Sequence, residues 1–213
     1  MLFQSISRNA LILGAFALLS IGLIAVFHHL TKDKIKAEMQ AKLARTLNEL
    51  VAASEYNNDV YHDCAIIDSN GVLHPSESSK VYRMTNNGQP VALVFTVTAP
   101  DGYNGKINLI MAVRPNGQLA GVRTLSHNET PGLGDKIDTQ KSDWIKQFSG
   151  LSLDQPPVEQ WKVKQDGGVF DAFTGATITP RAVVRALARG LEFANSHALD
   201  IHQASNACGA SNE

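Results

Sequence analysis

Several features that would assign this chain to a common functional class are scarce or missing. The sequence has only two cysteines, Cys64 and Cys208, and neither lies in a Cys-x-x-Cys or Cys-x-x-Cys-His pattern, which argues against a cysteine metal site or c-type haem attachment. The seven histidines lack ligand spacing, and we predict no metal site. We find no P-loop and no Ser/His/Asp or Cys/His arrangement, and we predict no catalytic residue. A net charge of −1 gives no electrostatic footprint for nucleic acid, so no nucleic-acid partner is predicted.

The two cysteines do not identify a compartment by themselves. They are far apart in the chain, and each stands alone. A disulfide between them would be permitted outside the cytoplasm, where oxidising conditions allow such bonds to persist. We favour two unrelated thiols.

Charge is also absent from one long stretch near the amino terminus, Ala10–Phe27. As a helix this run of about 18 residues is ~27 Å long, enough to cross the hydrocarbon core of a bilayer. A cleaved signal peptide is the alternative, but the run is long for one, and His28–Lys32 offers no small-x-small cleavage site. We therefore predict a short N-terminal segment, residues 1–9, and an uncleaved transmembrane helix over residues 10–30.

The residues after this run predict an amphipathic connecting helix over residues 31–56. Its apolar side chains recur at spacings of three and four: Ile35, Met39, Leu43, Leu47, Leu50 and Val51. Two arrangements fit this pattern equally well. The segment either continues the membrane helix or packs as a separate helix on the following domain.

From Tyr61 onward, short apolar runs separated by turn residues predict strands. We place them at residues 65–68, 81–84, 91–98, 107–113 and 119–125, with a further strand at 161–164 and a short helix at 142–148. Asn-Gly pairs follow three of these strands, and Asn-Gly between apolar runs is the strongest short hairpin signal. The predicted fold is therefore α+β: an N-terminal transmembrane helix, then one domain over residues 57–201 with a twisted antiparallel sheet and flanking helices. A disordered tail over residues 202–213 completes the prediction.

One hydroxyl-rich turn, Asp171–Thr177, directly precedes a helical pattern. Thr179 suits the N-cap and Pro180 the first helical position. Apolar residues then recur at helical spacing: Val183, Val184, Leu187, Leu191 and Ala194. Thr177 would lie just before the helix, where free N–H groups and the helix dipole favour a negative charge, and the small Gly175–Ala176 pair leaves room for a bulky group. The pattern predicts a phosphate site, although an ordinary capping turn has the same composition.

Two further segments carry glycine-rich turns. Residues 126–136 include Glu129-Thr130-Pro131-Gly132-Leu133-Gly134, in which two glycines after a proline let the backbone take positive φ and approach a flat ligand. Residues 101–107 include Gly102-Tyr103-Asn104-Gly105. Tyr103 could stack on such a ligand or simply cap the core. Each segment alone is also consistent with a plain turn.

Taken together, Asp-x-x-Thr-Gly-Ala-Thr, Glu-Thr-Pro-Gly-Leu-Gly and Gly-Tyr-x-Gly resemble the motifs of the bacterial FMN-binding domain family. Within it, the chain looks most like the flavin-carrying subunits of Rnf/Rsx-type ion-translocating electron transport complexes. The sodium-translocating NADH:quinone reductase contains a more distant relative. The resemblance implies a membrane-anchored redox subunit whose partners are the other membrane subunits of such a complex.

The resemblance also implies roles for individual residues. A flavin transferase that uses FAD as donor would attach FMN to Thr177 through a phosphodiester bond. The transferase would recognise four residues of this motif: Asp171, Gly175, Ala176 and Thr177. The implied flavin-binding residues are Thr177 together with the following: Tyr103, Glu129, Thr130, Gly132, Leu133, Gly134, Thr174, Gly175, Ala176 and Thr179.

Charge and resemblance disagree about the orientation in the membrane. Basic residues follow the apolar run, whereas only Arg8 precedes it, and the positive-inside rule would place the large domain in the cytoplasm. The resemblance implies the periplasmic side of a bacterial inner membrane. Because long domains translocate largely regardless of flanking charge, we predict the periplasmic side. Two non-redox alternatives stay open: an anchored module that binds an anionic ligand noncovalently, and an assembly subunit with a vestigial motif.

Overall fold

The computed structural model describes residues 2–74 and 78–209 and begins with one long helix, α1, over Leu2–Leu50. The chain divides into two compact units between Leu47 and Asn48. In the first unit, Ala10–Lys32 is the one stretch of the described helices that is long and apolar enough to cross a membrane, judged by length and composition. The predicted connecting helix therefore continues the apolar helix, as in the first of the two arrangements, but it ends at Leu50, and residues 51–56 of the predicted helix are not helical.

The second unit is organised around a five-stranded antiparallel sheet in which every strand pairs with its neighbours in the chain. The strands are β1 (Cys64–Asp68), β2 (Ser78–Asn86), β3 (Gln89–Gly102), β4 (Gly105–Val113) and β5 (Leu119–Ser126). Asn87 and Gly88 join β2 to β3 with φ of 50° and 79°, which is the conformation that a tight hairpin turn requires. The predicted antiparallel sheet is confirmed.

A second helix, α2, covers Ile178–Gln203 and packs on one face of this sheet. The face that it covers carries alternate β3 residues, including Phe95 and Val97, and all of the predicted apolar helix residues are buried there. Gly190 allows a close approach, because a Cβ at that position would overlap the Met111 side chain. Full burial of each large apolar side chain stabilises the domain by about 1.5–3 kcal/mol.

The opposite face of the sheet is buried in part, although Ile66 and Thr96 on that face are exposed. Val94 and Ile110 are inaccessible to solvent there, and Gly121 leaves room for the Leu50 backbone, which lies 3.2 Å from a Cβ built at that glycine. The sequence alternation of Val91, Leu93, Phe95 and Val97 predicted only the first of these buried faces.

Short 3₁₀ helices complete the domain: Val60–His62, Gly134–Ile137, Trp144–Phe148, Val158–Gln160 and Lys164–Asp166. The predicted helix at 142–148 is thus a 3₁₀ helix that begins at Trp144. The predicted strand at 161–164 is wrong. Val163 makes a single bridge to Phe170, and the buried Trp161 packs against the rings of Phe148 and Phe170, so the apolar character of this segment reflects a ring cluster.

The prediction of unrelated thiols is also wrong, because Cys64 and Cys208 form a disulfide. Residues 204–209 return to the start of β1, where the Asn206 side chain accepts hydrogen bonds from both cysteine N–H groups and donates to the carbonyl of His62. For residues 202–209 the structure therefore differs from the predicted disordered tail. Residues 210–213 lie outside the described part of the chain.

Candidate functional site

The start of α2 brings the three sequence motifs together around a cavity of about 230 Å³. One side comes from the turn between β3 and β4, the second from the loop after β5, and the third from the turn that leads into α2. The lining residues are Tyr103, Glu129, Thr130, Leu133, Gly134, Gly175, Ala176, Thr177, Ile178 and Thr179.

All of these lining residues except Ile178 are among the site residues predicted from the sequence. Ile178 was missed because an isoleucine at a helix start is usually read as core, whereas here its side chain is 44% exposed at the cavity. Three predicted residues do not line the cavity: Gly132, Thr174 and Asp171.

Thr177 occupies the N-cap position of α2, yet its side chain makes no capping hydrogen bond to the described helix. Its carbonyl accepts the first helical hydrogen bond, from the N–H of Arg181 at 3.2 Å. The N–H groups of Ile178 and Thr179 precede that bond and belong to the set that a helix leaves without intrahelical partners. Thr177 therefore stands beside free donors at the positive end of the helix dipole.

The predicted N-cap, Thr179, is wrong by two positions. Its hydroxyl donates to the carboxylate of Glu129 instead of capping the helix, and the residue is only 1% exposed. Pro180 is consequently the third helical residue rather than the first. It remains in the first turn, where the N–H that proline lacks would have no intrahelical partner.

The turn before α2 depends on Gly175. The N–H of Ala176 donates to the carbonyl of Phe173 at 3.0 Å, which closes a four-residue turn, and Gly175 has a φ of 81°. That left-handed conformation favours glycine, since other residues pay a steric cost there. A Cβ built at Gly175 would lie 3.5 Å from the Leu133 side chain, so Leu133 reaches across to this turn.

Glu129 holds the three segments together from within. It is 4% exposed, and its carboxylate accepts hydrogen bonds from the N–H groups of Tyr103 at 3.3 Å and Asn104 at 3.0 Å. The same carboxylate accepts the hydroxyl of Thr179. One side chain thus joins the β3–β4 turn, the loop after β5 and the first turn of α2.

Two glycines make room for this carboxylate. A Cβ built at Gly134 would lie 2.7 Å from the Thr179 hydroxyl and 2.9 Å from Oε2 of Glu129. A Cβ built at Gly102 would lie 2.9 Å from Oε1 of Glu129. Gly132 serves a different purpose, because it has open space around it but a φ of 78°. Gly102 and Gly134 are therefore needed for the close approach of the carboxylate, and Gly132 is needed for its backbone conformation.

Three arginine side chains fasten the outer side of α2 near the cavity, two by ion pairs and one by a hydrogen bond to the backbone. Arg181 donates from Nε and Nη2 to Asp166 at 2.5 and 2.7 Å, and this bidentate bond lowers the pKa of Asp166 and raises the pKa of Arg181. Arg185 pairs with Asp101, next to the β3–β4 turn. Arg189 donates to the carbonyl of Thr98 at 3.0 Å, and burial lowers its pKa.

Asp171 and Thr174 lie on the exposed outer side of the turn. The Asp171 carboxylate pairs with Nζ of Lys164 at 2.7 Å, and its carbonyl accepts the indole N–H of Trp144 at 2.8 Å. Asp171 is therefore a surface residue whose carbonyl also holds the turn in place through its bond with Trp144.

A larger cavity of about 300 Å³ lies along the C-terminal half of α2, where Arg114, Asn195 and His202 are among the lining residues. None of the three motifs contributes to it, so its size alone does not make it the site. No cluster of metal-binding side chains occurs within residues 2–74 and 78–209. The site that the motifs build is therefore the smaller cavity at the start of α2.

Comparison with known proteins agrees with this location. Residues 102–192, which include every lining residue, match the FMN-binding domain, and residues 1–50 match the RnfG N-terminal region. The chain is 42% identical over 210 residues to the G subunit of the ion-translocating oxidoreductase complex of Shewanella piezotolerans, covering 99% of both chains. The protein of the same name from Shewanella loihica is 45% identical, with 91% of this chain and 92% of the relative covered. The one from Vibrio cholerae serotype O1 is 41% identical, with 97% and 99% covered. The chain therefore belongs to the family formed by the G subunits of ion-translocating oxidoreductase complexes.

Proposed function

We propose that this chain is a membrane-anchored electron-transfer subunit that carries FMN on Thr177 through a phosphodiester bond. It would act within a multi-subunit complex that couples electron transfer to ion translocation. The observation that carries the proposal is the position of Thr177, at a helix N-terminus and in a cavity built from the three motifs. The match to an FMN-binding domain supports the identity of the ligand.

Burial and bonding favour Thr177 over the two neighbouring threonines as the acceptor. Thr179 is almost fully buried, and its hydroxyl is engaged with Glu129. Thr174 is exposed but does not line the cavity. Thr177 is half-buried, lines the cavity and makes no capping bond, so its hydroxyl suits attachment of a ligand that enters the cavity.

The surroundings of Thr177 suit a phosphodiester. Such a group keeps a negative charge, and the N–H groups at the start of α2 lie next to it. A charge placed at a helix N-terminus is stabilised by about 0.3–1 kcal/mol. The backbone of this chain thus supplies a matched environment for the linkage.

The size and chemistry of the cavity fit part of an FMN molecule. Exposed apolar side chains, Tyr103, Leu133 and Ile178, are among its lining residues and offer contacts for a flat ring. At about 230 Å³ the cavity is below the ~300–1,000 Å³ typical of pockets that enclose a whole drug-sized ligand. Much of the ligand would remain outside, so a covalent bond would retain it where noncovalent contacts alone would be weak. The bound flavin would supply one- and two-electron chemistry, and the chain supplies attachment, position and electrostatics.

The anchor and the disulfide support a periplasmic location for the second unit. Ala10–Lys32 would cross the inner membrane, and the Cys64–Cys208 bond is of a kind that persists in oxidising compartments. We give this more weight than the charges that flank the apolar run, because long domains translocate largely regardless of them.

Two kinds of partner follow from the proposal. A flavin transferase with FAD as donor would have to reach the turn before α2. The exposed Asp171, together with Gly175, Ala176 and Thr177, offers a surface for its recognition. The other membrane subunits of the complex would exchange electrons with the flavin.

The test is to produce the full-length chain together with a flavin transferase and to measure its intact mass and in-gel flavin fluorescence. We expect the mass of one attached FMN in the wild type and none in Thr177→Ala. Thr139→Ala, a partly buried threonine outside the cavity, is the matched control and should stay flavinylated. A wild type without covalent flavin would favour the noncovalent-module or assembly-subunit alternative. Attachment that survives Thr177→Ala would contradict the choice of residue.

A further inference from the structure

We propose that Glu129 is a fixed negative charge that sets the electrostatic potential of the cavity and so lowers the midpoint potential of a flavin held there. The effect on the flavin rests on the function proposed above. The effect on the cavity does not, since it concerns only residues of this chain.

Among the described residues that line the cavity, Glu129 is the only one with a carboxylate or basic side chain, because the others are glycine, threonine, tyrosine and aliphatic residues. Within the described part of the chain, none of the ion pairs includes Glu129. Its charge is therefore stabilised by hydrogen bonds without a cation in contact. Such a charge projects its field into the cavity.

The bonding around Glu129 is that of an ionised carboxylate. Both of its oxygens accept hydrogen bonds from backbone N–H groups, and one also accepts the hydroxyl of Thr179. An ionised carboxylate can only accept, so this set of donors suits the charged form. Gly102 and Gly134 enclose the two oxygens, and a side chain at either position would displace the carboxylate.

A buried negative charge opposes the addition of electrons to a neighbouring group, because reduction brings further negative charge to that group. Solvent and salt screen such an interaction poorly when the charge is buried. The same field raises the pKa of any acid placed in the cavity, since it disfavours the ionised form. This second consequence can be measured without flavin.

The first experiment therefore uses a thiol as a probe. Thr177→Cys in the full-length chain places one free thiol in the cavity, while Cys64 and Cys208 remain in their disulfide. The pH dependence of its reaction with a thiol reagent gives the thiol pKa. Adding Glu129→Gln should lower this pKa by about one unit, which is a roughly tenfold gain in thiolate at a fixed pH near neutrality.

Glu159→Gln is the matched control, because it makes the same chemical change on an exposed residue outside the cavity. It should leave the thiol pKa unchanged. Equal thiol pKa values with Glu129 and with Gln at that position would overturn the proposal, provided that the circular dichroism spectra of the two proteins agree.

A second measurement leaves Glu129 unchanged. It shows whether the charge of Glu129 acts on the cavity even if Glu129→Gln does not fold. The field of a thiolate in the cavity acts on the Glu129 carboxylate, just as the field of the carboxylate acts on the thiol. In Thr177→Cys labelled with carbon-13 in the glutamate carboxyl groups, ionisation of the thiol should therefore shift one glutamate resonance. If no glutamate resonance follows the titration of the thiol, Glu129 does not act on the cavity.

The last measurement is the midpoint potential of the FMN-loaded chain. Glu129→Gln should raise it, giving about a tenfold change in the ratio of oxidised to reduced flavin at a fixed potential, or about 59 mV for a one-electron step. An unchanged potential in a loaded variant would contradict the redox effect. A chain that takes up no FMN at all would instead contradict the proposed function, while the thiol titration would still decide the role of Glu129.

Discussion

The two ends of α2 are fixed by different chemistry. At the C-terminal end, Arg83 donates to the carbonyls of Ile201 and Ala204 at 3.3 and 2.7 Å, and the Cys64–Cys208 disulfide ties the chain that follows to β1. At the N-terminal end the first turn is held by hydrogen bonds and by the Arg181–Asp166 pair, beside an open cavity.

The contacts that stabilise α2 most strongly are therefore at one end of the helix, and the proposed ligand site is at the other. A covalent bond and a buried arginine anchor α2 where no motif residue lies. The end that carries Thr177 has exposed loops and free N–H groups. This suits a residue that a transferase must reach from outside. Active groups placed on a rigid element are held more precisely than groups on loops, and here the rigid element is anchored at its far end.

Breaking the anchored end should have the largest effect on stability. The double substitution Cys64→Ser with Cys208→Ser removes a cross-link between residues 144 apart in sequence. We expect a loss of about 2–5 kcal/mol in the free energy of unfolding, measured with denaturant. Reduction of the wild type should reproduce this loss, and the reduced double variant should behave like the reduced wild type. A double variant as stable as the oxidised wild type would show that the disulfide does not anchor α2.

A change at the cavity end should cost less. Gly134→Ala places a Cβ against the Thr179 hydroxyl and the Glu129 carboxylate, and such overpacking costs about 1–3 kcal/mol in unfolding free energy. Gly132→Ala is the comparison variant, because it has space around it and disturbs only the backbone conformation, which has a φ of 78°.

The two glycines are separated best by the thiol probe of Thr177→Cys. Only Gly134→Ala should also change the thiol pKa, since only this variant displaces the carboxylate of Glu129. Equal effects of the two alanines on the thiol pKa would contradict the tight packing of Glu129.

The sequence predicted the sheet and most of the cavity for reasons that the structure makes clear. Strand alternation and Asn-Gly turns are local signals, and the meander joins neighbours in the chain, so local signals were sufficient. The motif residues were predicted by resemblance. Their convergence at the start of α2 follows from the fold, which places the β3–β4 turn and the loop after β5 at the same end of the sheet.

What the sequence did not predict depends on contacts between distant residues. Thr179 has the ordinary preference for an N-cap, but Glu129, 50 residues away, accepts its hydroxyl and moves the cap to Thr177. The Cys64–Cys208 bond has no spacing signal, because it depends on where α2 ends relative to β1. The apolar segment at Trp161 looks like a strand until the ring cluster that buries it is known.

The smallest expected effect concerns the ion pair that holds the first turn of α2. The guanidinium of Arg181 lowers the pKa of Asp166 below its ordinary value of 3.8. A carboxyl whose pKa is lower in the folded state stabilises the protein above its unfolded pKa, and this contribution is lost as the pH falls through the folded pKa. The pair is solvent-exposed in part, so its contribution is small and should shrink with added salt.

Asp166→Asn should therefore lower the melting temperature slightly at neutral pH and not at all below the folded pKa of Asp166, where the wild type has lost the same interaction. Asp143→Asn, at an exposed pair with Lys146 far from α2 in sequence, is the control. Only Asp166→Asn should also loosen the first turn of α2, seen as faster amide hydrogen exchange at Arg181 and Ala182. Exchange that is equal in both variants would mean that Glu129 and the helix packing hold this end without the ion pair. The contrast between the two ends of α2 would then rest on the disulfide and the Arg83 hydrogen bonds at the C-terminal end.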